Sequence, residues 1–471
     1  MLAAFSNLYV SKSAIAPQAT CAAASAATGR PLEKGMSLSG WLQGVRSDPL
    51  LDYRSAAELP ASAGVIIIGS GITGVTTAYE LLNSADPPKS IVLLEAREFC
   101  SGATGRNAGH CKPDQYRGFS SYQKKFGTEQ AMKVAMTSRA CALELDVATT
   151  DELAALGAKN WEAFKAAGGK TDHIEYITDP EEAVKRSRVR SAKAVWSWDA
   201  STLYPWKFAA HIARICLQRG LHLQTWIPVL SVTPTNGGAW SVETERGSII
   251  APTIVHATNA YAGALLPDMA HMVTPTPHMC NRVIPPRAWS GGNALQNSYG
   301  VLVPGGALYS INPTQGGQGI VLFGGSNPAQ HKLHEYVDAH PGSRTDDGLA
   351  NFAPVTQAVE DFIKSDFEGW DTDYAPGEGP DYAWSGIIGM SADGVPFVGA
   401  VPGRPGQWIC AGHSGHGMAR CFTFAPGLVR LLQGGTWADT SLPDVYELTP
   451  ERVEALRPKK KSTGIDAWGS I

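Results

Sequence analysis

Charged residues are scarce in this sequence and long hydrophobic runs are absent, and each shortage argues against a class of protein. Only 17% of the 471 residues are Asp, Glu, Lys or Arg, against about a quarter in average soluble proteins, which predicts a large buried interior. The 39 basic residues are outnumbered by 43 acidic ones, so the basic surface typical of nucleic-acid binding is not expected. No stretch of about 18 uncharged apolar residues exists, so no membrane-spanning helix is predicted.

Motifs for disulfides, metal sites and hydrolytic nucleophiles are missing as well. The 12 histidines form no HxH or HExxH pattern, so no metal is predicted, and the lack of GxSxG argues against an esterase. The cysteines form no CxxC pair, which predicts reduced thiols in an intracellular, cytoplasmic protein. They lie far apart, at positions 21, 100, 111, 141, 216, 280, 410 and 421.

Glycine and proline, in contrast, are abundant, with 50 and 31 residues. Together they make up about 17% of the chain against an average near 12%, which predicts many tight loops and close backbone approaches. The length predicts two or three domains. Residues 1–35 are rich in Ala and Ser and lack the apolar run of a signal peptide and the arginines of a mitochondrial presequence. They are predicted to be disordered, as part of an N-terminal arm over residues 1–60.

The clearest local pattern is a βαβ unit in about 30 residues. A β-branched strand at 64–68 enters a glycine turn, a helix follows at 75–84, and a second buried strand spans 91–94. Further along, apolar spacing predicts a helix over 143–156, and the last helix is predicted over 426–433.

The turn of the βαβ unit carries the spacing Gly69-x-Gly71-x-x-Gly74. Glycines at these positions permit a tight turn, close approach of a pyrophosphate to the helix N-terminus, and packing of helix on strand. Glu95 ends the second strand 21 residues after Gly74, where an acid can bind ribose hydroxyls. We therefore predict dinucleotide binding, with a purely structural glycine loop as the alternative.

A second loop of small and hydroxyl residues follows at 101–110. Its backbone N–H groups could hold the rest of an extended cofactor, although an ordinary surface loop has the same composition. With Glu95-Ala96-Arg97, this loop resembles the glycine/D-amino-acid oxidase (DAO)-like FAD oxidoreductases, and most closely the gamma-glutamylputrescine oxidoreductase-like branch with its fungal members. The segments 203–208, 256–261, 384–399 and 412–418 fit the same resemblance, which covers roughly residues 40–440.

The resemblance implies an α/β (α+β) fold in which a Rossmann-like FAD-binding domain is interleaved with an antiparallel-sheet substrate domain. The FAD-binding domain is expected from 61–150, 201–262 and 384–445, the substrate domain from 151–200 and 263–383, and a C-terminal tail from 446–471. The residues expected to bind FAD come from five parts of the chain. They are Gly69, Ser70, Gly71, Ile72, Thr73, Gly74, Glu95, Ala96, Arg97, Ser101, Gly102, Ala103, Thr104, Arg106, Asn107, Ala108, Gly109, His110, Val229, Thr258, Gly412, Gly415, His416, Gly417 and Met418.

The same resemblance implies oxidation of a C–N bond to an imine by hydride transfer to flavin, with molecular oxygen as the expected acceptor. Candidate catalytic residues are His416, Tyr382 and Tyr309, with Trp384 nearby in sequence. An aromatic, dry pocket lowers the pKa of a substrate ammonium group and so favours the neutral amine that hydride transfer needs.

Two departures from the family pattern refine this expectation. The residues before Trp384 are Asp381-Tyr382-Ala383, where amino-acid oxidases of the family often carry a carboxylate-binding arginine. This favours an amine or a larger nitrogen compound as the substrate. The segment 384–399 contains no cysteine, so noncovalent FAD is expected, with Cys111 or His110 as the remaining candidates for a covalent link.

Three alternatives stay open at this point. An NAD-dependent dehydrogenase shares the glycine fingerprint but gives no role to 384–418. An FAD-dependent dehydrogenase or cyclase would use another electron acceptor or no net redox chemistry. A regulatory nucleotide-binding protein would carry out no reaction.

Overall fold

The computed structural model describes residues 29–112, 115–135, 142–314, 319–370 and 374–457. Its helices are α1 (Gly40–Gln43), α2 (Ile72–Leu82), α3 (Phe119–Phe126), α4 (Thr128–Ala135), α5 (Asp151–Ala166), α6 (Pro180–Ser187), α7 (Pro205–Gln218), α8 (Gln330–Ala339), α9 (Ala353–Asp366), α10 (Gly417–Leu432) and α11 (Pro450–Ala455). Its strands are β1 (Val65–Ile68), β2 (Ile91–Leu94), β3 (His110–Cys111), β4 (Ala142–Ala148), β5 (Glu175–Ile177), β6 (Ala194–Thr202), β7 (His222–Gln224), β8 (Val229–Pro234), β9 (Trp240–Thr244), β10 (Gly247–Ala251), β11 (Thr253–His256), β12 (Val273–Ile284), β13 (Ser298–Val303), β14 (Ala307–Pro313), β15 (Val321–Gly324), β16 (Gly379–Ser391), β17 (Phe397–Ala400) and β18 (Gln407–Ala411).

The predicted βαβ unit starts a six-stranded sheet, with the strand order β17-β18-β11-β1-β2-β7. All its neighbours pair in parallel except the edge strand β17. β1 is buried at all four positions and lies between β2 and β11, so the chain switches direction across the sheet at this strand. Ile68 pairs with Leu94 and with His256, so the three strands end together. Crevices at such switch points are where cofactors bind in open α/β sheets.

Helices cover this sheet because their apolar residues face it. α2 packs against α7 and α10, and the three contribute Val75, Ala213 and Phe424 to one buried cluster with β1 and β2. On the opposite face, a three-stranded antiparallel sheet, β10-β9-β8, packs against the even-numbered residues of β1, Ile66 and Ile68.

The second large sheet has nine strands, in the order β16-β12-β15-β14-β13-β4-β6-β3, with β5 paired to β6. Its pairs are antiparallel except for β4 with β13. The mixed α/β fold with a Rossmann-like sheet and a separate, mainly antiparallel sheet is thus confirmed.

The helix predicted over 143–156 is wrong in its first half. Residues 142–148 form β4, and the helix α5 begins only at Asp151, with Thr150 accepting a hydrogen bond from Leu153 N. Leu145 and Val147 join one hydrophobic cluster, while Glu144 and Asp146, which alternate with them along the strand, face the other side. This period of two, rather than 3.6, is the strand signal. The helix predicted over 426–433 also begins earlier, at Gly417, and carries Pro426 inside it, and it is not the last helix, because α11 follows it.

The residues that form the two sheets do not follow the predicted domain limits. β4, predicted within the FAD-binding segment 61–150, belongs to the nine-stranded sheet, as does the part of β16 predicted within 384–445. The residues after 446 also pack onto the protein, because Leu448 is buried and its N–H donates to Val398 O. Residues 458–471 of the predicted tail lie outside the described residues.

Residues 29–60 of the N-terminal arm pack onto the protein, which corrects the expectation of disorder for residues 29–35. Leu32, Trp41, Leu42 and Val45 are buried, and the last three join the cluster beneath the six-stranded sheet. Residues 1–28 lie outside the described part of the chain. Within that part, no helix combines the length and the apolarity needed to cross a membrane.

Candidate cofactor and active site

The turn between β1 and α2 has no space for side chains at two of its glycines. Gly69 has a φ of +110°, and a Cβ on it would lie 2.7 Å from Ala257 O. A Cβ on Gly74 would lie 1.9 Å from Gly69 O, so helix and turn can pack this closely only through glycine. α2 begins at Ile72 directly after this turn, and its N-terminus, with the positive end of the helix dipole, forms part of a cavity wall.

Glu95 ties the end of β2 to this turn. Its Oε2 accepts hydrogen bonds from Ser70 N (2.9 Å) and Ser70 Oγ (2.7 Å), and its Oε1 accepts one from Arg97 N (3.1 Å). Ser70 Oγ also accepts from Cys100 N. Glu95 therefore organises the glycine turn and still lines the cavity with its carboxylate.

The loop 101–109 lies against the start of α2 and is covered by the N-terminal segment. Thr104 Oγ1 accepts a hydrogen bond from Ile72 N at 2.9 Å. On the other side of the loop, the Ser39 hydroxyl donates to Gly105 O, and Trp41 Nε1 donates to Asn107 O at 2.6 Å. The sequence analysis assigned no role to Ser39 or Trp41, because they lie in the segment expected to be an arm.

A buried ionic triad of Arg97, Arg106 and Asp347 joins this loop to the rest of the protein. Asp347 Oδ1 lies 2.9 Å from Arg97 Nη1, and its Oδ2 lies 3.1 Å from Arg106 Nε; all three side chains are at most 2% exposed. Arg106 also donates to Ser37 O and Ser385 O. Burial alone would raise the pKa of Asp347, but the two guanidinium groups lower it.

The triad has a surplus of one positive charge. Burial and the charge of Arg97 lower the pKa of Arg106, although Asp347 opposes this shift. Arg97 and Arg106 both line the cavity, so this charge favours an anionic ligand there.

The C-terminal loop 412–418 closes the other side of the same cavity. Asn259, which follows β11, has a positive φ of 44°, and its Oδ1 accepts from Gly412 N (3.1 Å) and His413 N (3.3 Å). His413 Nε2 lies 3.3 Å from Thr73 Oγ1, and the ring stacks on Phe424. Burial and the nearby Arg420 lower the pKa of His413 to about 4, so this imidazole is neutral at pH 7.

His416 stands at the N-terminus of α10, with Nδ1 2.8 Å from Ser414 O. Its side chain lines the cavity beside Gly417 and Met418. The loop thus presents a helix N-terminus and an imidazole to the same space.

These loops surround one continuous cavity of about 400 Å³. Most of the predicted cofactor-binding residues line it: Gly69, Gly71, Ile72, Thr73, Glu95, Ala96, Arg97, Gly102, Ala103, Thr104, Arg106, Asn107, Ala108, His110, Val229, Thr258, Gly415, His416, Gly417 and Met418. The others lie behind this wall and shape its loops: Ser70, Gly74, Ser101, Gly109 and Gly412.

FAD fits the residues present in this cavity. Gly69, Gly71 and Thr73 line the cavity at the N-terminus of α2, where a diphosphate can accept hydrogen bonds from backbone N–H groups. A carboxylate, Glu95, lines the cavity at the carboxyl end of β2, where a ribose binds in this fold. The α10 N-terminus provides a second positive dipole end, suited to the electron-rich ring.

Comparison with known proteins decides the family. The family model described as "DAO: FAD dependent oxidoreductase" matches residues 64–432. The chain belongs to the DAO family of FAD-dependent oxidoreductases. This assignment makes the cofactor FAD and leaves the NAD-dependent alternative without support.

Individual relatives of this DAO-family protein are distant. It is 25% identical over 386 residues to the "Probable oxidoreductase OrdL" of Rhizobium meliloti, covering 76% of this chain and 79% of that protein. It is 26% identical over 271 residues to the mitochondrial dimethylglycine dehydrogenase of Rattus norvegicus, covering 53% of this chain but only 29% of that protein. The crystal structure of glycine oxidase from Geobacillus kaustophilus superposes with a TM-score of 0.59 and 18% identity, covering 83% of this chain and 99% of that one.

Two of the three predicted catalytic residues do not line the cavity. Tyr309 lies on β14 between Leu308 and Ser310, which do line it, and strand alternation turns Tyr309 to the opposite face. There its ring stacks on Phe362 and its hydroxyl donates to Ala358 O at 2.9 Å.

Tyr382 lies on β16, stacked on Trp384 and packed beside the N-terminal segment. Trp384 is fully buried and donates from Nε1 to Arg106 O, so it supports the loop 101–109 from behind. Tyr382 and Trp384 are therefore packing residues rather than cavity residues, and His416 is the predicted catalytic residue that reaches the cavity.

The nine-stranded sheet contributes a wall of the cavity that was not predicted from the sequence. His278, Met279 and Cys280 of β12, and Leu308 and Ser310 of β14, line the cavity together with Lys112 and Arg117. Burial, together with the neighbouring His334, lowers the pKa of His278 to about 4. No local motif marks these residues, because the pairing of distant strands is what brings them together.

The described cysteines are buried thiols with no disulfide among them. Cys111 Sγ donates to Met418 O, and burial raises its pKa to about 11. Among the residues that the structure describes, no group of three or more His, Cys, Asp or Glu could hold a metal ion.

Proposed function

We propose that this DAO-family protein oxidises a C–N bond of an amine or amino-acid-derived substrate to an imine. The observation that carries the proposal is the single cavity that runs from the glycine turn and Glu95 to the strands of the second sheet. The residues expected to bind the cofactor and the strands of the second sheet therefore face the same space. Two similar proteins are named as a glycine oxidase and a dimethylglycine dehydrogenase, and both names specify a nitrogen-containing substrate.

Bound FAD supplies a two-electron acceptor for the hydride that leaves the carbon next to nitrogen. The substrate also loses a proton from nitrogen, which leaves C=N. If molecular oxygen then takes up both electrons and two protons, hydrogen peroxide is the second product. We propose this oxidase reaction rather than transfer to another acceptor or a non-redox use of FAD.

The protein's own residues contribute by excluding water and holding the substrate neutral. Met279, Cys280, Leu308, Ile388 and Met390 make the wall from the second sheet largely apolar. A low-polarity wall disfavours the ammonium form of an amine and so lowers its pKa. The neutral amine then has the free electron pair that assists loss of hydride.

The residues of the turn 69–74, with Glu95, Arg97 and the loop 101–109, are proposed to hold FAD, and His416 with Gly417 to face its ring. We propose that FAD is bound noncovalently. Cys111 does not line the cavity, and burial keeps its thiol protonated. A covalent bond between Cys111 and the flavin would therefore lack the thiolate that has to form it. Acid precipitation tests this: the yellow colour should stay in the supernatant, and colour in the pellet would contradict it.

We further propose an intracellular, cytoplasmic location, which the buried reduced thiols support. The relation to the gamma-glutamylputrescine oxidoreductase-like branch and its fungal members also remains a proposal, supported by the loop 101–109 and the segment 412–418.

A screen for peroxide release tests the proposed reaction. Purified protein is supplied with amines and with amino acids in air, and peroxide and the carbonyl product of imine hydrolysis are measured. The proposal predicts both products in equal amounts from at least one compound. Product without peroxide would replace the oxidase with a dehydrogenase that uses another acceptor.

A further inference from the structure

Five ionisable side chains form a cluster beside the cavity, on β3, on the segment after it, and on β4. This ionic cluster consists of His110, Lys112, Arg117, Glu144 and Asp146. The two carboxylates lie two residues apart on β4, so they project from the same face of the strand. Both are completely buried, whereas the side chains of Lys112 and Arg117 keep 10% and 9% of their surface.

The carboxylates hold the two cations in place. Lys112 Nζ is bonded to Glu144 Oε1 and lies 3.7 Å from Asp146 Oδ1. Arg117 Nη1 lies 3.2 Å from the same Asp146 oxygen. Burial alone would raise the pKa of Glu144, but Lys112 and His110 lower it to about 2, so the anion persists at physiological pH.

The cluster has two layers, and only the positive layer faces the ligand space. Lys112, Arg117 and His110 line the cavity, while Glu144 and Asp146 do not. Gly300 on β13 lets the two cations converge, because a Cβ at that position would lie 3.0 Å from Lys112 Nζ and 3.0 Å from Arg117 Nη1. The ammonium of Lys112 and the guanidinium of Arg117 are therefore held in position before a ligand binds. Binding costs little side-chain entropy at these two residues.

We propose that Lys112 and Arg117 form a subsite for a carboxylate of the substrate, which makes the substrate an amino acid, N-substituted or not, rather than a simple amine. This inference rests on the proposed function and selects between the two substrate classes that it leaves open. In this proposal, Lys112 and Arg117 take over the role of the carboxylate-binding arginine that the family often carries before Trp384. Asp381, which stands near the position of the family's arginine, pairs with Arg282 at the surface, whereas Lys112 and Arg117 line the cavity on the side of the second sheet.

A binding experiment with the FAD-loaded protein tests the subsite without turnover. Benzoate serves as a carboxylate without an oxidisable amine, and benzamide as its neutral counterpart. Each is titrated by calorimetry and by the change in the visible flavin spectrum. We expect benzoate to bind and Arg117→Gln to weaken it ten- to hundredfold, the usual effect of losing a charged hydrogen bond. Benzamide should bind more weakly and should not respond to the substitution.

Matched variants keep the test independent of folding. Arg282→Gln removes a cation that does not line the cavity and should leave benzoate binding unchanged. Arg117→Lys keeps the charge and should restore part of the affinity, and Lys112→Gln removes the second cation in case Arg117→Gln does not fold. Equal binding of benzoate and benzamide, or benzoate affinity unaffected in both Lys112→Gln and Arg117→Gln, would overturn the subsite.

Substrate pairs separate this inference from the proposed function. With an amino acid and the amine that lacks its carboxylate, kcat/KM should favour the amino acid, and Arg117→Gln should reduce that preference at least tenfold. Oxidation of both compounds without preference would leave the proposed function intact and overturn the subsite. If no such pair of compounds reduces the flavin, the proposed function itself is overturned, while benzoate binding still reports on the subsite.

Discussion

Replacing Asp347 with Asn should destabilise the protein strongly, because this carboxylate is the single anion of the buried triad. Asn has the same shape but no charge, so the guanidinium groups of Arg97 and Arg106 would be left opposite one another without a counter-ion. All three side chains are at most 2% exposed, so water cannot take the place of the lost charge. Removing one partner of a buried ion pair typically costs about 3–5 kcal/mol, and we expect a loss in that range.

The assay is the urea midpoint of the FAD-loaded protein, followed by tryptophan fluorescence. Asp338→Asn is the matched control, because Asp338 also pairs with an arginine, Arg344, but both side chains are 39–46% exposed. Exposed pairs contribute about 0.2–1 kcal/mol, so the control should shift the midpoint little. If Asp347→Asn cost no more than Asp338→Asn, the triad would not be the structural link between the loop 101–109 and the second sheet.

Three further predictions concern the glycine turn, Glu95 and the buried histidines. Gly74→Ala should purify without FAD, because its Cβ would lie 1.9 Å from Gly69 O. The control Gly292→Ala has open space around its Cβ and should keep its flavin. Equal flavin colour in both variants would refute the close packing at Gly74. Glu95→Ala should weaken FAD binding ten- to hundredfold in a fluorescence titration, because it removes the hydrogen bonds to Ser70 and the carboxylate proposed to bind the cofactor ribose; a fully yellow preparation would contradict this role. The urea midpoint should fall between pH 7 and pH 5, because the pKa values of His256, His278 and His413 are lowered to about 4 from about 6.5 in the unfolded chain. The unfolded state then binds more protons, which costs up to about 3 kcal/mol per histidine by pH 4, and a midpoint independent of pH would contradict the burial of neutral imidazoles.

The parts of the site that sequence could predict are those in which one short segment performs a whole task. Gly69 and Gly74 are required by local backbone geometry, and Glu95 is placed by the end of the adjacent strand. For that reason the glycine turn, the parallel strands and the loop after Glu95 are all found in their predicted places.

The errors arise where distant segments meet. Tyr309 was assigned to the pocket from its segment alone, but the alternation of β14 decides which of Leu308, Tyr309 and Ser310 faces inward. Asp347 and Trp41 are about 60 or more residues away from the loop that they support, so no local pattern connects them to it.

The ionic cluster was not predicted from the sequence because β4 was predicted to be part of a helix. A helix over 143–156 would have placed Glu144 and Asp146 on different sides of the element. As a strand, it sets both carboxylates on one face, where they hold Lys112 and Arg117 beside the cavity. The alternating pattern of Leu145 and Val147 was the available signal, and the helical pattern of the following residues concealed it.

The central claim is that FAD bound in this cavity accepts electrons from a C–N bond. The most direct measurement is the visible spectrum of the purified protein under nitrogen, before and after addition of amines and amino acids. Our account predicts flavin bands that bleach with at least one such compound and return, with formation of peroxide, when air is admitted. A flavin spectrum that no amine or amino acid bleaches would contradict the account.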